Sequence, residues 1–358
     1  MGSYRIAVWG GDGIGTEVST QAIRVLRAVE KRHPTFQLKL EELPWGSDHW
    51  HTHQKIVPDD FLQQLKPFDA IFLGAVGDPK RLPDHITLAP LLKVRQGFDQ
   101  YACVRPVRLL AGIESPLKSA ASRDVDLVVI RENSEGEYVT NGGRIRIGTP
   151  QECAIESAYH SRFGVERILR FGFETARKRR KRLTMITKSN ALKFGLVMWD
   201  EILDEIAPQY SDVEVQKMHV DAAAMNFVRR PETFDVVVAS NLFGDILSDL
   251  AAALGGGLGV APSANINPER KFPSLFEPVH GSAPDIAGQG KANPVAAIIS
   301  AAMMLDWLSL TEPAATVVAA VNAVLARGKG TPDLGGKQTT TSLTDLIVAE
   351  VLSRGVAR

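Results

Sequence analysis

The sequence predicts an α/β fold with a largely parallel sheet, and three observations lead to this prediction. Short apolar runs, typical of buried strands, alternate with longer amphipathic runs, typical of helices, over most of the chain. Beyond residue 294 the pattern is almost entirely helical. The chain has 358 residues, 44% hydrophobic and 23% charged, and is therefore long enough for two lobes, each with its own core.

The first predicted strand, residues 5–9, leads into a helix at residues 20–31, and this order then repeats. Further apolar runs that are too short for helices predict strands at residues 36–40, 70–73, 127–130, 183–187 and 236–239. Longer amphipathic runs predict helices at residues 59–66, 88–98, 164–179, 191–206, 241–249, 294–308, 313–326 and 342–353. The Gly/Pro-rich stretch at residues 255–273 predicts crossing loops rather than a flexible linker.

Composition excludes several classes of protein. The 41 basic and 41 acidic side chains cancel, so the field of the whole molecule does not attract nucleic acid or membrane, and any anion site must be local. Cys103 and Cys153 are too few for a disulfide framework, and no apolar run reaches the roughly 18 residues of a membrane span. The N-terminus leads directly into the first strand without a signal peptide, which predicts a cytoplasmic protein.

One basic block, residues 177–182, could by itself be interpreted as a nucleic-acid patch. No aromatic residues alternate with its cations to stack bases. The block also lies at the end of a predicted helix, where cations interact favourably with the helix dipole. We therefore expect neither nucleic acid nor membrane as a partner.

Asp245 and Asp249 are four residues apart in a predicted helix, so their carboxylates project from one face, roughly 5–6 Å apart at Cβ. A solvated surface pair is the simpler interpretation. The neighbours Ile246, Leu247 and Leu250 instead predict a buried helix, in which two like charges need a compensating cation. Carboxylates suit Mg²⁺ or Mn²⁺, which leave coordination positions open for a chelating substrate.

A glycine loop at residues 10–15 follows the first strand and precedes a helix, as in a Rossmann fingerprint. The spacing is GxGxG and lacks the last glycine of GxGxxG, so the fingerprint fails. A simple turn is the other interpretation. We therefore do not expect a Rossmann fold.

Six ordered motifs identify a family that the chain resembles from about residue 4 to its C-terminus. They are GDGIGTE (residues 11–17), RPVR (105–108), RENSEGEY (131–138), TKSN (187–190), GDILSD (244–249) and EPVHGSAPDIAG (277–288). Together they resemble the β-decarboxylating dehydrogenases of the isocitrate/isopropylmalate dehydrogenase family, which oxidise 2-hydroxy diacids. Tartrate and D-malate dehydrogenases are further members.

The resemblance implies an isocitrate/isopropylmalate dehydrogenase-like two-domain fold. Residues 1–98 and 255–358 would form a discontinuous first domain that encloses a second domain, residues 99–254. The second domain would form the interface of a homodimer, with an arm at about residues 142–160 that interlocks with the neighbour. The glycine loop would lie near the nicotinamide end of the cleft, without binding pyrophosphate.

The resemblance places the cofactor at a later loop. A carboxylate at Asp285 would accept hydrogen bonds from the adenosine ribose and repel a 2′-phosphate, which favours NAD over NADP. The alternative is that Asp285 caps a helix after Pro284. The full set of residues implied for cofactor binding is His280, Gly281, Ser282, Ala283, Asp285 and Asn293.

The resemblance also implies the catalytic machinery. Tyr138 and Lys188 correspond to the acid–base pair, and Asp221, donated by the neighbouring subunit, completes the metal site with Asp245 and Asp249. Whether K⁺ is also required stays open. An inactive relative would lack one of these residues, and all are present. Three arginines would bind the substrate carboxylates bidentately, namely Arg95, Arg105 and Arg131.

Leu91 and Leu92 occupy the position that would contact the C3 substituent, where isocitrate enzymes carry Ser and Asn. Isocitrate is therefore not expected. Residues 84–88, 98–108 and 262–276 resemble the tartrate and D-malate branch, whereas residues 220–226 and 292–305 resemble isopropylmalate enzymes. We predict oxidation of D-malate or tartrate, with 3-isopropylmalate or a related 3-substituted malate as the alternative.

Overall fold

The computed structural model describes residues 2–117 and 125–353. Its largest element is one ten-stranded sheet in the order β2-β1-β3-β12-β11-β4-β5-β10-β8-β9, and β6 and β7 form a separate hairpin. The strands are β1 (Gly2–Gly11), β2 (Phe36–Glu42), β3 (Ala70–Ala75), β4 (Ala102–Arg108), β5 (Asp126–Glu132), β6 (Gly142–Ile145), β7 (Cys153–Glu156), β8 (Arg182–Thr187), β9 (Glu214–His219), β10 (Val236–Ala239), β11 (Pro262–Ile266) and β12 (Ser274–Pro278).

Helices connect these strands and close the chain. They are α1 (Ile14–Arg32), α2 (Ser47–His53), α3 (Phe61–Leu65), α4 (Asp84–Thr87), α5 (Ala89–Gly97), α6 (Arg162–Arg177), α7 (Gly195–Ile206), α8 (Val220–Arg229), α9 (Asn241–Leu254), α10 (Val295–Trp307), α11 (Thr311–Ala326) and α12 (Thr340–Ser353). As predicted, the chain after residue 294 is mainly helical, in α10, α11 and α12.

The sheet consists of two parallel blocks that run in opposite directions. Strands β2, β1, β3 and β12 are parallel to one another, as are β5, β10, β8 and β9. Between the blocks, β11 and β4 pair antiparallel with each other and with their outer neighbours, β12 and β5. The predicted α/β class with mainly parallel pairing is confirmed, and the antiparallel centre is where the two blocks meet.

The predicted domain boundaries do not interrupt the sheet. Strands β4, β5, β8, β9 and β10 come from residues 99–254, and the other five come from the segments on either side. Pairing of β4 with β11 joins the two groups directly. The division into two domains stays a prediction.

The stretch at residues 255–273 differs from the expectation. Instead of loops only, it contains β11, whose five residues are buried in the middle of the sheet. The surrounding glycines and prolines made this five-residue strand undetectable in the sequence. It is stabilised by pairing with a strand on each side and not by local β-propensity. Strands β4, β9 and β12 were also not predicted.

The hairpin formed by β6 and β7 lies within the segment expected to be an arm. All eight of its strand residues are exposed in the single chain. Ile145, Ile147 and Ile155 are 53%, 69% and 57% exposed. Large exposed apolar groups on one element are typical of an interaction surface.

The basic block at residues 177–182 is largely neutralised by carboxylates. Arg177 pairs with Asp212, and Arg179 pairs with the buried Asp235 at 2.7 Å. In the segments that the structure describes, no helix is both long and apolar enough to cross a bilayer.

Candidate active site

A cavity of about 250 Å³ lies where the carboxyl ends of β3 and β12 meet the central strands β4 and β5. Helices α5 and α9 close it. In α/β sheets, ligand sites are commonly found at such strand ends. The cavity brings together ten of the predicted site residues, namely Leu91, Leu92, Arg95, Arg105, Arg131, Tyr138, Asp245, Asp249, His280 and Gly281.

Strand pairing explains why two of the arginines share a face. Arg131 on β5 lies opposite Cys103 on β4, and Arg105 is two residues further along β4. Because side chains alternate along a strand, Arg105 and Arg131 project to the same side of the sheet. Gly244 lets α9 approach closely, since a Cβ there would lie 2.6 Å from the Arg131 Cβ.

Helix α9 holds both of these guanidinium groups. Arg131 donates to Asn241 Oδ1 from Nε at 2.9 Å and to the Asp245 carboxylate, and Arg105 Nη1 donates to Ser248 Oγ at 2.6 Å. Burial lowers the pKa of the Arg131 guanidinium to about 10, so the group remains a cation at neutral pH.

Not every buried donor in this cluster has an acceptor. Arg95 Nη2 donates to Glu277 Oε1 at 3.2 Å, but Arg95 Nε has no partner among the described residues. The same is true of Arg105 Nε. Buried donors are normally satisfied, so two unsatisfied guanidinium nitrogens beside one cavity indicate a site for an anionic ligand.

Tyr138 lies over this cluster and donates from its hydroxyl to Asp245 Oδ2 at 2.9 Å. Burial raises the pKa of the Tyr138 hydroxyl above its ordinary value of 10.0, and the negative charge of Asp245 raises it further. The hydroxyl is therefore protonated at neutral pH and can act as a proton donor.

The two aspartates of α9 have different environments. For Asp245, burial would raise the pKa of the carboxyl, but Arg131 and Arg105 outweigh burial and hold the pKa below its usual range. For Asp249, burial raises the pKa, and among the described residues Arg105 is the one cation within ion-pair distance, at 3.4 Å. The charge of Asp249 is thus poorly compensated among the described residues.

The expectation that this helix is buried on all sides is wrong for the single chain. The side chains of Asp245 and Asp249 are 32% and 54% exposed, and Ile246 is 59% exposed. The apolar residues around the aspartates do not all face the core, because no element among the described residues covers one side of α9.

Lys188 does not line the cavity that contains Tyr138. It follows β8, and its Nζ donates to Asp221 Oδ1 at 2.7 Å. The pairing of Thr187 with His219 places these two side chains at adjacent strand ends. In the portions of one chain that are described, no three His, Cys, Asp or Glu side chains are grouped closely enough to hold a metal ion.

The glycine loop packs against the predicted cofactor loop. Ile14 N donates to Ser282 O at 2.8 Å, and the loop adopts a φ of 55° at Gly13, where a Cβ would lie 2.1 Å from Ser282 O. Asp12, which is buried, accepts hydrogen bonds from Ser47 N and Gly77 N at 2.7 and 2.8 Å. Through these contacts, the glycine loop joins neighbouring segments around the cavity.

Three further predicted cofactor residues are His280, Asn293 and Asp285. Burial lowers the pKa of the His280 imidazole, and His280 Nε2 is buried without a partner in the described chain. Asn293 donates to Asp333 Oδ2 at 2.9 Å. Asp285 is exposed within a turn rather than at the start of an α-helix, so its alternative role as a helix cap is wrong.

Four residues around the site were given no role; three lie within the motifs, and Asn241 lies at the start of the predicted helix at residues 241–249. Glu277 pairs with Arg95 and lines the cavity, Asn241 and Ser248 hold the guanidinium groups, and Asp12 joins the loops. Their positions in or near the motifs were the available signal. Their partners are distant in the sequence, so no local spacing could reveal the contacts.

Comparison with known proteins identifies the family. Residues 5–347 match the family model described as isocitrate/isopropylmalate dehydrogenase. The chain belongs to the isocitrate/isopropylmalate dehydrogenase family. Within this family, it is 51% identical over 349 residues to a probable tartrate dehydrogenase/decarboxylase of Agrobacterium vitis, covering 97% of each chain. It is 49% identical over 360 residues to the D-malate dehydrogenase [decarboxylating] of Escherichia coli strain K12, covering 98% of this chain and 99% of the relative.

A solved member of the isocitrate/isopropylmalate dehydrogenase family has the same fold. The crystal structure of isocitrate dehydrogenase from Methylococcus capsulatus matches with a TM-score of 0.88 and 36% sequence identity, over 98% of this chain and 100% of that one. The predicted family and family-type fold are confirmed. The protein is an oxidoreductase, a decarboxylating hydroxy-acid dehydrogenase.

Proposed function

We propose that the enzyme oxidises D-malate or tartrate at C2 and removes carbon dioxide from C3, with NAD as hydride acceptor and Mg²⁺ or Mn²⁺ as a required ion. The observation that carries the proposal is the cluster of three buried arginines around a small cavity, two of which keep an unsatisfied Nε. Two carboxylates of a small diacid would complete these hydrogen bonds.

The cavity walls favour a short substrate. Leu91 and Leu92 line it beside Arg95, so a further carboxylate on C3 would meet apolar side chains. The identity of about half of all residues to proteins named for tartrate and D-malate supports the same choice. Leucines would also accept an isopropyl group, which keeps 3-isopropylmalate as the second candidate.

The aspartates of α9 fit a divalent cation. Asp249 presents a partly exposed carboxylate with a raised pKa, and Asp245 lies one turn away on the same cavity wall. Oxygen ligands with room for water and substrate suit Mg²⁺ and Mn²⁺. When bound, such an ion supplies Lewis-acid polarisation of the substrate oxygens, and NAD supplies the hydride acceptor.

The loop at residues 280–285 fits NAD. His280 Nε2 is an unsatisfied buried atom, and the space beside Gly281 is open, with no atom within 4 Å of a Cβ built there. The exposed Asp285 carboxylate would accept hydrogen bonds from a ribose and repel a 2′-phosphate. NAD rather than NADP follows from this charge.

Side chains of the protein then perform binding and proton transfer. Arg95, Arg105 and Arg131 orient the two carboxylates, and the hydrogen bond to Asp245 positions the Tyr138 hydroxyl. Tyr138 holds a proton on Oη at neutral pH and delivers it to C3 after carbon dioxide leaves. Lys188 Nζ takes part in removing the proton from the C2 hydroxyl.

Lys188 and Asp221 would reach the cavity of a second subunit. They lie together, outside the cavity of their own chain, with Asp221 69% exposed. Exposed apolar side chains near them and on the arm supply a surface for a homodimer, including Met225, Val228, Ile246, Ile147 and Ile155. Each active site would then contain residues of both chains.

The test is a turnover panel with the purified enzyme. NADH formation is measured with D-malate, tartrate, 3-isopropylmalate and isocitrate, with NAD or NADP, and with Mg²⁺, Mn²⁺ or excess chelator. We expect turnover of D-malate or tartrate with NAD, and loss of turnover with chelator. Strong activity on 3-isopropylmalate alone would overturn the substrate assignment, and activity in chelator would overturn the ion requirement.

A further inference from the structure

We propose that the face of the sheet opposite the active-site cavity carries a second binding site, which accepts a small carboxylate with a flat apolar body. A cleft of about 630 Å³ lies there, with strands β4, β11 and β12 as its floor. Helix α6 forms one wall, and α10 and α11 form the other. We call this the rear cleft. Its size is in the range of small-molecule sites.

The walls of the rear cleft are apolar and incompletely covered. Phe171 on α6, Met303 and Trp307 on α10 and Val318 on α11 all line it and are only partly buried. Val104 on the floor is likewise partly buried, although it lies in the middle of the sheet. A flat apolar group placed here would remove these surfaces from water.

Two cationic side chains at the rim of the rear cleft favour an anionic ligand. Lys178 follows α6, and Arg270 lies in the turn between β11 and β12, on opposite walls of the cleft. Neither cation forms an ion pair with a carboxylate in the described parts of the chain, and Arg270 stacks over the Trp307 ring at 4.2 Å. Asp306 is the single acidic residue among the described lining residues, which together carry one net positive charge.

The rear cleft and the active site share the same strands. On β4, Val104 faces the rear cleft and Arg105 faces the active-site cavity. On β12, Phe276 faces the rear cleft and Glu277 faces the active-site cavity. Only one layer of backbone separates the two sites. Bending such a sheet toward one face opens the other, so a ligand between α6 and α10 favours closure around the substrate. This coupling rests on the proposed function, whereas binding itself does not.

Binding is tested with 1-naphthoate as probe and uncharged 1-naphthalenemethanol as its matched analogue, by calorimetry on the intact enzyme. We expect naphthoate to bind in the presence of saturating D-malate and to bind at least about tenfold more tightly than the alcohol. Arg270→Ala and Lys178→Ala should each weaken binding by about tenfold. As a control, Lys66→Ala removes an exposed lysine outside the rear cleft and should leave naphthoate binding unchanged. Met303→Trp should block naphthoate binding by narrowing the cleft.

Coupling is tested by steady-state kinetics. Saturating naphthoate should lower the KM for the diacid by about fivefold with little change in kcat, and Met303→Trp should remove this effect of the probe. Displacement of naphthoate by D-malate, or binding that Arg270→Ala, Lys178→Ala and Met303→Trp leave unchanged, would overturn the site. A change of oligomeric state in Met303→Trp would assign the cleft to subunit contact instead. Binding as expected without turnover of any diacid would refute the proposed function and leave the site standing.

Discussion

Asp245 and Asp249 lie one helical turn apart, yet their surroundings shift the pKa values of the two carboxyls in opposite directions. Two guanidinium groups stabilise the charged form of Asp245, whereas burial disfavours the charged form of Asp249. For an acid whose pKa is raised on folding, the charged form costs stability above that pKa, and the cost disappears as the pH falls through it. A divalent cation at Asp249 would offset this cost near neutral pH, in competition with protons.

The first prediction concerns ion-dependent stability. At pH 7.5, Mg²⁺ or Mn²⁺ should raise the melting temperature of the protein by a few degrees, because an ion that binds only the folded state stabilises it. The shift should shrink at pH 5, where the raised pKa leaves more Asp249 protonated. Asp249→Asn should abolish the shift, and Asp60→Asn, at an exposed site on the surface, should retain it. An undiminished shift in Asp249→Asn would exclude this carboxylate as a ligand.

Among the elements, the hairpin of β6 and β7 is the one whose stability the contacts within a single chain do not explain. Among the strands of the described residues, these two pair with each other and with no other strand, and Ile145 and Ile155 are more than half exposed. A lone two-stranded hairpin has little stability in water. Contacts from a second chain would bury these side chains and stabilise the arm.

The second structural prediction tests the arm as a subunit contact. Ile155→Asp places a charge on the apolar side of the hairpin and should weaken the dimer by at least about a hundredfold, as seen by analytical ultracentrifugation. Turnover should fall in parallel, because each proposed site includes residues of a second chain. Leu352→Asp is the control, since Leu352 on α12 is 46% exposed and lies far along the chain from the arm. A dimer that survives Ile155→Asp unchanged would remove the arm from the interface.

For the whole molecule, the proposed roles of Tyr138 and Lys188 require the two side chains to meet at one site. The cavity of a single chain contains Tyr138 and the arginines, whereas Lys188 lies with Asp221 at the ends of β8 and β9. In a two-fold symmetric dimer, Lys188 of one chain can lie at the cavity that contains Tyr138 of the other chain. The symmetry then forms the same contact a second time with the two chains exchanged.

Subunit mixing tests this arrangement. Tyr138→Phe and Lys188→Ala should each lower kcat by about a hundredfold or more. After random exchange of the two variants, about half of the dimers are mixed and each has one intact site, which restores about a quarter of native activity. Mixing Tyr138→Phe with Arg105→Lys should restore nothing, since both changes lie in the same chain's cavity. Failure of the first mixture, with mixed dimers verified, would place Lys188 in its own chain's site.

The extent of prediction from sequence differs between elements. Residues 127–130 and 236–239 are runs of buried apolar residues, and they are strands β5 and β10 as expected. The apolar pattern likewise revealed α10 and α11. In contrast, β11 at the centre of the sheet follows a glycine-rich stretch and begins with Pro262, and only its pairing on both sides makes it a strand.

The sequence by itself determined the family, the α/β class and the identity of the polar side chains, because motif spacing and apolar periodicity are local properties. Tertiary structure decided which of those side chains meet. It joined Arg131 to Asn241 and Asp245 across more than a hundred residues, placed Glu277 against Arg95, and separated Lys188 from Tyr138 within one chain. These contacts depend on strand order and helix packing, which are set by burial summed over the whole molecule and cannot be read from any single segment.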